Sequence, residues 1–468
     1  MKKSLKNKLS FASADIFGGG SFNIINFLYP GFLALTVGLS AYYISMIMLI
    51  IRLWDAITDP LMGYISDRTN SRFGKRRIYL IFVSPLILVS FYLLFYPYNF
   101  SLIGIRVVFV LLSYLLFTTV QTMIMIPYYS LSSEISSDYQ ERASYNSYRL
   151  GFSIFSSILA VAIPGVIISL FSNDKVGYQA MSLIFGFIFM AAVLITGLFS
   201  KEEIISPTSK GKLSIKKMVE PLKLRVFRQY LFMYLVVQIS MVVMSGLFFF
   251  YVDFYITKDL TASGKTSMIG LIAAALMFFM QIVALPVYLK MIGKKGKQFA
   301  YRFGAILWII TALLIFLVPA NSSPIILFII AAVIGFGISG PGLVPHTMFG
   351  DIADVSELVF QERLDGQMSG FTNFMNKVSQ AIGISGAMAL LGLAGFKEKA
   401  LDGPAILSQP DSATLMIKLI LVMTPLIFMS IGIFITYRYK LDKEKQQLVK
   451  EALKEESVNK KDLLESLL

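Results

Sequence analysis

Long apolar runs separated by short polar segments recur along the whole chain. Most runs are close to the roughly 20 residues that an α-helix needs to cross the hydrocarbon core of a bilayer. They lack the alternating pattern of a membrane β-strand, and lipid offers no water to unpaired backbone groups, so helices are expected. The pattern predicts spans at 11–36, 40–66, 78–97, 104–131, 147–171, 178–200, 230–256, 265–289, 301–318, 323–348, 367–394 and 413–437.

The longest polar interruption lies at 201–229 and leaves the same number of predicted spans on each side. A transporter made of two related halves has such a division. We therefore predict an N-terminal six-helix bundle over 1–200, a cytoplasmic linker over 201–229 and a C-terminal six-helix bundle over 230–437. The mixture of Lys and Glu in the remaining tail, 438–468, indicates either a solvated cytoplasmic helix or a disordered extension.

Lysine and arginine are concentrated in alternate connections. One set contains the N-terminus, the loop from Arg68 to Arg77, the linker and the loop from Lys290 to Lys297, whereas the other set is poor in basic residues. Cytoplasmic loops carry the excess of Lys and Arg in membrane proteins. We therefore expect both termini in the cytoplasm and the chain in the cell membrane.

The composition supports a membrane protein and not a nucleic-acid-binding one. Hydrophobic residues make up 56% of the 468 residues and charged residues 15%, with a mean hydropathy of +0.71. A soluble chain of this length needs more polar surface to cover its core. The formal net charge of +14 is therefore interpreted as a determinant of topology, and no nucleic-acid partner is expected.

Several kinds of chemistry are excluded by what the sequence lacks. The absence of cysteine excludes disulfides, thiolate catalysis and sulfur-ligated metals. The single histidine, His346, makes a histidine metal site unexpected. Because the sequence has no nucleophile–base pair, metal-ligand cluster or phosphate loop, we expect neither an enzyme nor a cofactor. A membrane enzyme or a sensor without transport is the alternative class.

The second predicted span contains the strongest cluster of ionisable residues. Asp55, Thr58 and Asp59 lie at positions i, i+3 and i+4, so they share one face of a helix. Each charge in hydrocarbon costs about 2.5–3.5 kcal/mol on insertion scales, and neighbouring carboxylates repel until a proton, cation or base neutralises them. The hydroxyl of Thr58 adds an oxygen ligand that suits a hard cation such as Na⁺. The pattern predicts a coupling-ion site; the alternative is a structural network neutralised by Arg52.

Other polar residues fall inside or beside the apolar runs. Lys377 lies too deep in the eleventh span to reach the interface easily, so a carboxylate or an anionic substrate group is expected beside it. Thr122 and Gln121 place further polar groups in the fourth span. Asp351 and Asp354 are predicted in the connection between the tenth and eleventh spans, where a gate role and solvated loop charges are both open.

The motif around the second span also supports a resemblance. The run Arg52-Leu-Trp-Asp-Ala-Ile-Thr-Asp-Pro-Leu-Met-Gly63, then Ile126-Pro-Tyr-Tyr-Ser-Leu131 and Gly350-Asp-Ile-Ala-Asp354, resembles the glycoside–pentoside–hexuronide:cation symporter family. This is the melibiose-permease-like branch of the major facilitator superfamily. The resemblance implies an all-α integral membrane fold of twelve transmembrane helices in two six-helix bundles, which work by alternating access.

The resemblance also implies roles for individual residues, given as three groups. It implies cation binding by Asp55, Thr58, Asp59 and Thr122. It implies substrate binding by Asp15, Gly19, Gln121, Tyr129, Arg149, Asn373 and Lys377. It implies gating by Asp67, Arg68, Arg142, Asp351, Asp354 and Arg363.

The sequence departs from the family pattern in the substrate region. The sugar-binding aspartate of the family's first span falls at Gly19, with Asp15 one turn earlier, and the aspartate of its fourth span falls at Met125. With Arg149 and Lys377 expected to be unopposed, an anionic substrate such as a hexuronide is favoured over a neutral galactoside. The loss of one carboxylate leaves both Na⁺ and H⁺ open as the coupling ion.

The sequence therefore predicts a monomeric symporter of a sugar derivative, coupled to a monovalent cation and embedded in the lipid bilayer. The alternative is a lysophospholipid symporter of the same superfamily, because animal lysophospholipid carriers share the run of the second span.

Overall fold

The computed structural model describes residues 5–135, 139–200, 219–257, 268–320, 322–361, 364–398 and 408–454. These described residues form helices, turns and loops without a strand, which confirms the predicted all-α class. Among them, ten helices are long and apolar enough to cross a membrane.

The first group of helices corresponds to the first six predicted spans. It comprises α1 (Leu5–Ala12), α2 (Asp15–Phe32, extended by a π-helical turn at Leu33–Val37), α3 (Ala41–Arg68), α4 (Arg77–Phe82), α5 (Ser84–Leu94), α6 (Ile103–Glu134), α7 (Tyr139–Ser169) and α8 (Asp174–Phe199).

The second group follows the remaining predicted spans and the tail. It comprises α9 (Arg225–Tyr251, extended by a π-helical turn at Val252–Ile256), α10 (Met268–Lys295), α11 (Lys297–Leu317), α12 (Pro324–Phe360), α13 (Asp365–Gln380), a π-helical turn at Ala381–Ser385, α14 (Gly386–Leu393), α15 (Asp411–Arg438) and α16 (Lys443–Lys454).

Two predicted spans are composite. The segment predicted at 78–97 is divided into α4 and α5, and Pro85 in the first turn of α5 has no backbone N–H to continue the ladder of α4. The segment predicted at 367–394 is divided by the π-helical turn between α13 and α14. These two composite segments are the predicted spans that are missing from the ten continuous helices. The exact count of twelve stays a prediction.

The structure divides into two compact units. The first consists of the described parts of Met1–Gly211, Phe248–Ile272 and Met388–Ala413. Within it α2 packs mainly on α7, α3 on α6, and α5 on α8, around buried aromatic rings. The predicted boundaries of the two bundles stay a prediction.

The second unit consists of the described parts of Lys212–Leu247, Ala273–Ala387 and Thr414–Leu468. Its strongest packing joins α11 to α12, where Gly304 and Gly337 let the backbones approach: a Cβ on Gly304 would lie 2.7 Å from the carbonyl oxygen of Gly337. Glycine is required at this crossing because any side chain would separate the helices.

The helix α12 extends well beyond its predicted end at 348. Asp351 and Asp354 therefore lie inside a helix, and their predicted placement in a connection is wrong. The extension forms because Ile352, Val355 and Leu358 are buried on one side of it, although charged residues end the continuous apolar run.

The tail forms the helix α16 over its described part. Val449 and Ala452 are each only 1% exposed, so one face of α16 is packed against the second unit. At the start of the tail, burial raises the pKa of Tyr439, and the negative charge of Asp351 adds to this effect. The hydroxyl of Tyr439 therefore stays neutral at physiological pH.

Candidate cation and substrate site

Asp55 and Asp59 form an acidic stripe on α3, and the first of them makes an ion pair within the helix. Arg52 donates from Nη1 to Oδ2 of Asp55 over 3.0 Å, and the side chains are 11% and 3% exposed. Arg52 also donates from Nη2 to the hydroxyl of Tyr114 on α6, over 3.1 Å. The predicted carboxylate is thus buried, and an internal cation already lies beside it.

The second carboxylate of the stripe contacts α6. Thr122 donates from its hydroxyl to Oδ1 of Asp59 over 2.7 Å, so the structure brings together this predicted pair. Thr58 donates to the carbonyl oxygen of Trp54 in its own helix over 3.1 Å. A threonine bonded in this way still presents lone pairs on its hydroxyl oxygen.

The oxygen atoms around the stripe are suitable ligands for a hard cation. They come from Asp55, Asp59 and Thr122, and Pro60 has no N–H to bond the carbonyl oxygen of Ala56 one turn earlier. Carboxylate, hydroxyl and carbonyl oxygens suit Na⁺, whereas clusters of at least three His, Cys, Asp or Glu that could bind other metals do not occur in the searched, described part of the chain.

A second polar centre of the first unit joins α2, α6 and α7. Arg149 approaches Asp15, with Nε 3.1 Å from Oδ2, and the hydroxyl of Tyr128 donates to the same oxygen over 3.4 Å. The guanidinium of Arg149 also lies over the ring of Tyr129, 5.3 Å from its centroid. The expectation that Arg149 is unopposed is therefore wrong.

The glycines of α2 explain why Asp15 reaches Arg149. A Cβ on Gly19 would lie 2.6 Å from Oγ of Ser153 on α7, so only glycine permits this approach of the two helices. Gly19 is therefore a packing position, and we leave it out of the proposed site. The predicted Gln121 donates to Oγ of Ser21 over 3.3 Å, which places it between α6 and α2.

The predicted residues of the second unit lie on α13. Asn373 is exposed and Lys377 is half-buried, and Lys377 has interaction partners in the structure. Sequence reasoning missed Asn376, which donates to the hydroxyl of Tyr234 over 3.2 Å and accepts from Gln380 over 2.6 Å. The spacing i, i+4 of the two amides was the available signal.

The predicted gate residues that the structure describes lie in both units. In the first unit, Asp67 accepts a hydrogen bond from Arg76 over 2.5 Å. Arg68 stacks on Tyr64, with 3.5 Å between the guanidinium carbon and the ring centroid. In the second unit, Asp351 accepts from the ammonium of Lys297 and from the amide of Gln446 on α16. The side chain of Arg142 and all of Arg363 lie outside the described residues.

Comparison with known proteins gives this architecture its family. The model of the family described as MFS/sugar transport protein matches residues 10–443. The chain belongs to this family. It is therefore a multi-pass membrane protein with the major facilitator fold, as predicted.

Relatives along the chain are named as symporters. The sodium-dependent lysophosphatidylcholine symporter 1 of Xenopus tropicalis is 24% identical, with coverage of 96% of this chain and 91% of the relative. The uncharacterized symporter YjmB of Bacillus subtilis is 28% identical, with coverage of 96% and 95%. The putative glycoside/cation symporter YagG of Escherichia coli is 25% identical, with coverage of 81% of each chain.

Solved structures support the fold. A bacterial homologue of the human lysosomal transporter Spinster, in an inward-facing and unoccupied conformation, aligns with a TM-score of 0.65 at 13% identity. The alignment covers 93% of this chain and 95% of that one.

Proposed function

We propose that this protein is a symporter that couples the movement of Na⁺ or H⁺ to the transport of a glycoside, pentoside or hexuronide by alternating access. The observation that carries the proposal is the acidic stripe inside a membrane span, in which Asp55 and Asp59 are one turn apart and Thr122 of α6 bonds the second carboxylate. Ionised carboxylates within a membrane span cost free energy, and binding of a transported cation explains why they are present.

Exchange of counterions supplies a coupling mechanism. Arg52 neutralises Asp55 across 3.0 Å. A cation that binds between the carboxylates replaces this internal charge and reduces their repulsion. Because the bound cation changes the relative free energies of the two access states, it can bias the helices towards closing over a loaded substrate.

The pair of Asp15 and Arg149 is the proposed contact for the sugar. The carboxylate accepts hydrogen bonds from hydroxyl groups, the guanidinium donates to them, and Tyr129 adds an aromatic face. Since the charges of the pair cancel, neutral glycosides and hexuronides are both candidates, and a uronide carboxylate would compete with Asp15 for Arg149. The name of the Escherichia coli relative supports a glycoside.

The proposal also includes the location, the oligomeric state, the two halves and the gate of the transporter. We place the protein in the cell membrane as a monomer, and the distribution of Lys and Arg predicts that both termini lie in the cytoplasm. The halves of the transporter are proposed to be the bundles at 1–200 and 230–437. The role in transport of the gate residues is likewise a proposal.

A thermal-shift screen tests this function. The full chain in lipid nanodiscs is screened with neutral glycosides, hexuronides and lysophosphatidylcholine, in Na⁺ or K⁺ of equal ionic strength and at two pH values. We expect a sugar derivative to raise the melting temperature, with a larger rise when the coupling cation is present, because two ligands of one state reinforce each other.

The controls of this screen separate the alternatives. Asp15→Asn should lose the rise caused by the sugar and keep any rise caused by Na⁺. A rise with lysophosphatidylcholine alone would transfer the assignment to the lipid symporters, which is the second candidate that the Xenopus tropicalis relative supports. No cation-dependent rise with any class would contradict the proposal.

A further inference from the structure

The guanidinium of Arg52 lies in the first unit between two buried partners. On one side is Asp55 in the same helix, and on the other is the hydroxyl of Tyr114 in α6. Tyr114 is 1% exposed and packs edge-on against Tyr29, with ring centroids 4.9 Å apart. The tyrosine is thus fixed by packing, whereas its hydroxyl is aimed at Arg52.

Few other groups hold Arg52. A guanidinium has five N–H donors, and the Nε atom of Arg52 has no hydrogen-bond partner among the described residues. Its bonds to side chains run from Nη1 to Asp55 and from Nη2 to Tyr114. Among the described residues, the bond to Tyr114 joins this internal cation to a second helix, while the charges of Asp55 and Asp59 attract it from its own helix.

We propose that Tyr114 is a positioning residue for ion coupling: it holds Arg52 on Asp55 as a tethered counterion that the transported cation must displace. This inference rests on the proposed cation site at Asp55 and Asp59. The bond between Arg52 and Tyr114 belongs to the state in which Arg52 pairs with Asp55. An interaction made in only one of two states stabilises that state alone, so Tyr114 lowers the apparent affinity for the cation.

The variant Tyr114→Phe tests the sign of this effect. Removal of the hydroxyl should lower the half-saturating concentration of the coupling cation about fivefold, the ratio that one hydrogen bond of about 1 kcal/mol corresponds to. If the cation is H⁺, the midpoint of the pH titration should rise by about 0.7 pH unit, which is the same ratio. A merely structural role of Tyr114 predicts an unchanged or weaker response to the cation.

The measurement needs no identified substrate. The full-length protein is titrated with Na⁺ replacing K⁺, and separately with pH in Na⁺-free medium, while tryptophan fluorescence is recorded. The chain has two tryptophans, and Trp54 lies next to Asp55 and donates to Thr119 over 3.0 Å. Loss of the fluorescence change in the variant Trp54→Phe would show that Trp54 is its source.

A matched control is available in the neighbouring ring. Tyr29→Phe removes a buried hydroxyl from the ring that packs on Tyr114, without removing a bond to Arg52. It should leave the half-saturating concentration unchanged. If Tyr114→Phe does not fold, Arg52→Lys serves as the second variant, because one ammonium cannot reproduce the fork that spans both partners, and it should shift the titration in the same direction.

Each outcome decides between the two proposals. A lower half-saturating cation concentration in Tyr114→Phe alone supports the inference. An equal shift in Tyr29→Phe, or an unchanged or higher value in Tyr114→Phe, overturns it while the cation site stands. A native protein that responds to neither Na⁺ nor pH overturns the proposed function, and the role of Tyr114 with it.

Discussion

Two carboxylates, one in each unit, are held by partners of different kinds. In the first unit Asp59 accepts a hydrogen bond from Thr122, which is neutral, and is also attracted by the charge of Arg52 on the same helix. In the second unit Asp351 has one oxygen bonded by the charged ammonium of Lys297 and the other by the amide of Gln446. Both aspartates lie in long helices, so secondary structure does not distinguish them.

The difference is that a neutral group bonds one carboxylate and a permanently charged group bonds the other. A lysine brings a permanent positive charge, and its pairing with Asp351 contributes to the packing of α11, α12 and the tail. A threonine brings no charge and keeps lone pairs that can ligate a cation beside Asp59. We therefore expect Asp59 to exchange ions during transport and Asp351 to stay a structural or gating group.

The largest expected effect is at Asp59. Asp59→Asn retains an oxygen for Thr122 but removes the negative charge. The half-saturating concentration of the coupling cation, measured by Trp54 fluorescence, should therefore rise by more than about a hundredfold, because the cation loses a charged ligand. The folded fraction should stay normal by size-exclusion chromatography.

The same substitution at Asp351, in the second unit, sharpens the comparison. Asp351→Asn should leave the half-saturating cation concentration unchanged, although it weakens the bond to Lys297. A native cation response in Asp59→Asn, or an equal loss in both variants, would refute the assignment of ion coupling to the stripe of α3.

An intermediate effect is expected at the neutral partner. Thr122→Val keeps the shape of the side chain and removes a hydroxyl oxygen that can ligate Na⁺ beside Asp59, so the half-saturating Na⁺ concentration should rise about fivefold to tenfold. The matched control is Thr118→Val, because the hydroxyl of Thr118 donates to the carbonyl oxygen of Leu115 in its own helix. Equal shifts in both variants would show that any lost hydroxyl in α6 has this effect.

The sequence predicted the membrane helices well, because a run of about twenty apolar residues has one physical explanation in a bilayer. It did not predict the division near Val83, which depends on the local geometry before Pro85. It also ended α12 too early, because buried side chains of an amphipathic extension do not form a continuous apolar run.

The candidate site was predictable where its residues share a helix. The spacing of Asp55, Thr58 and Asp59 follows from helical geometry alone. By contrast, no pattern links Arg52 to Tyr114, which is 62 positions away in sequence. The same holds for Asp15 and Arg149, whose pairing depends on the close approach of α2 and α7 at Gly19.

The smallest expected effect concerns the other oxygen of Asp351. Gln446→Ala removes the amide that joins α16 to α12, and the loss of one hydrogen bond of about 1 kcal/mol should lower the melting temperature by about 2 °C or less in a chain of this size. The titration with the coupling cation should not change, because Gln446 contacts a carboxylate of the second unit and not the stripe of α3.

The neighbouring residue provides the matched control for this last change. Gln447 lies on the same helix, and its side chain is exposed, so Gln447→Ala removes an identical group where it packs against nothing comparable. Its melting temperature should equal that of the native chain. A shift in cation response with Gln446→Ala, and none with Gln447→Ala, would show that Asp351 takes part in ion coupling, and the contrast between the two carboxylates would then be wrong.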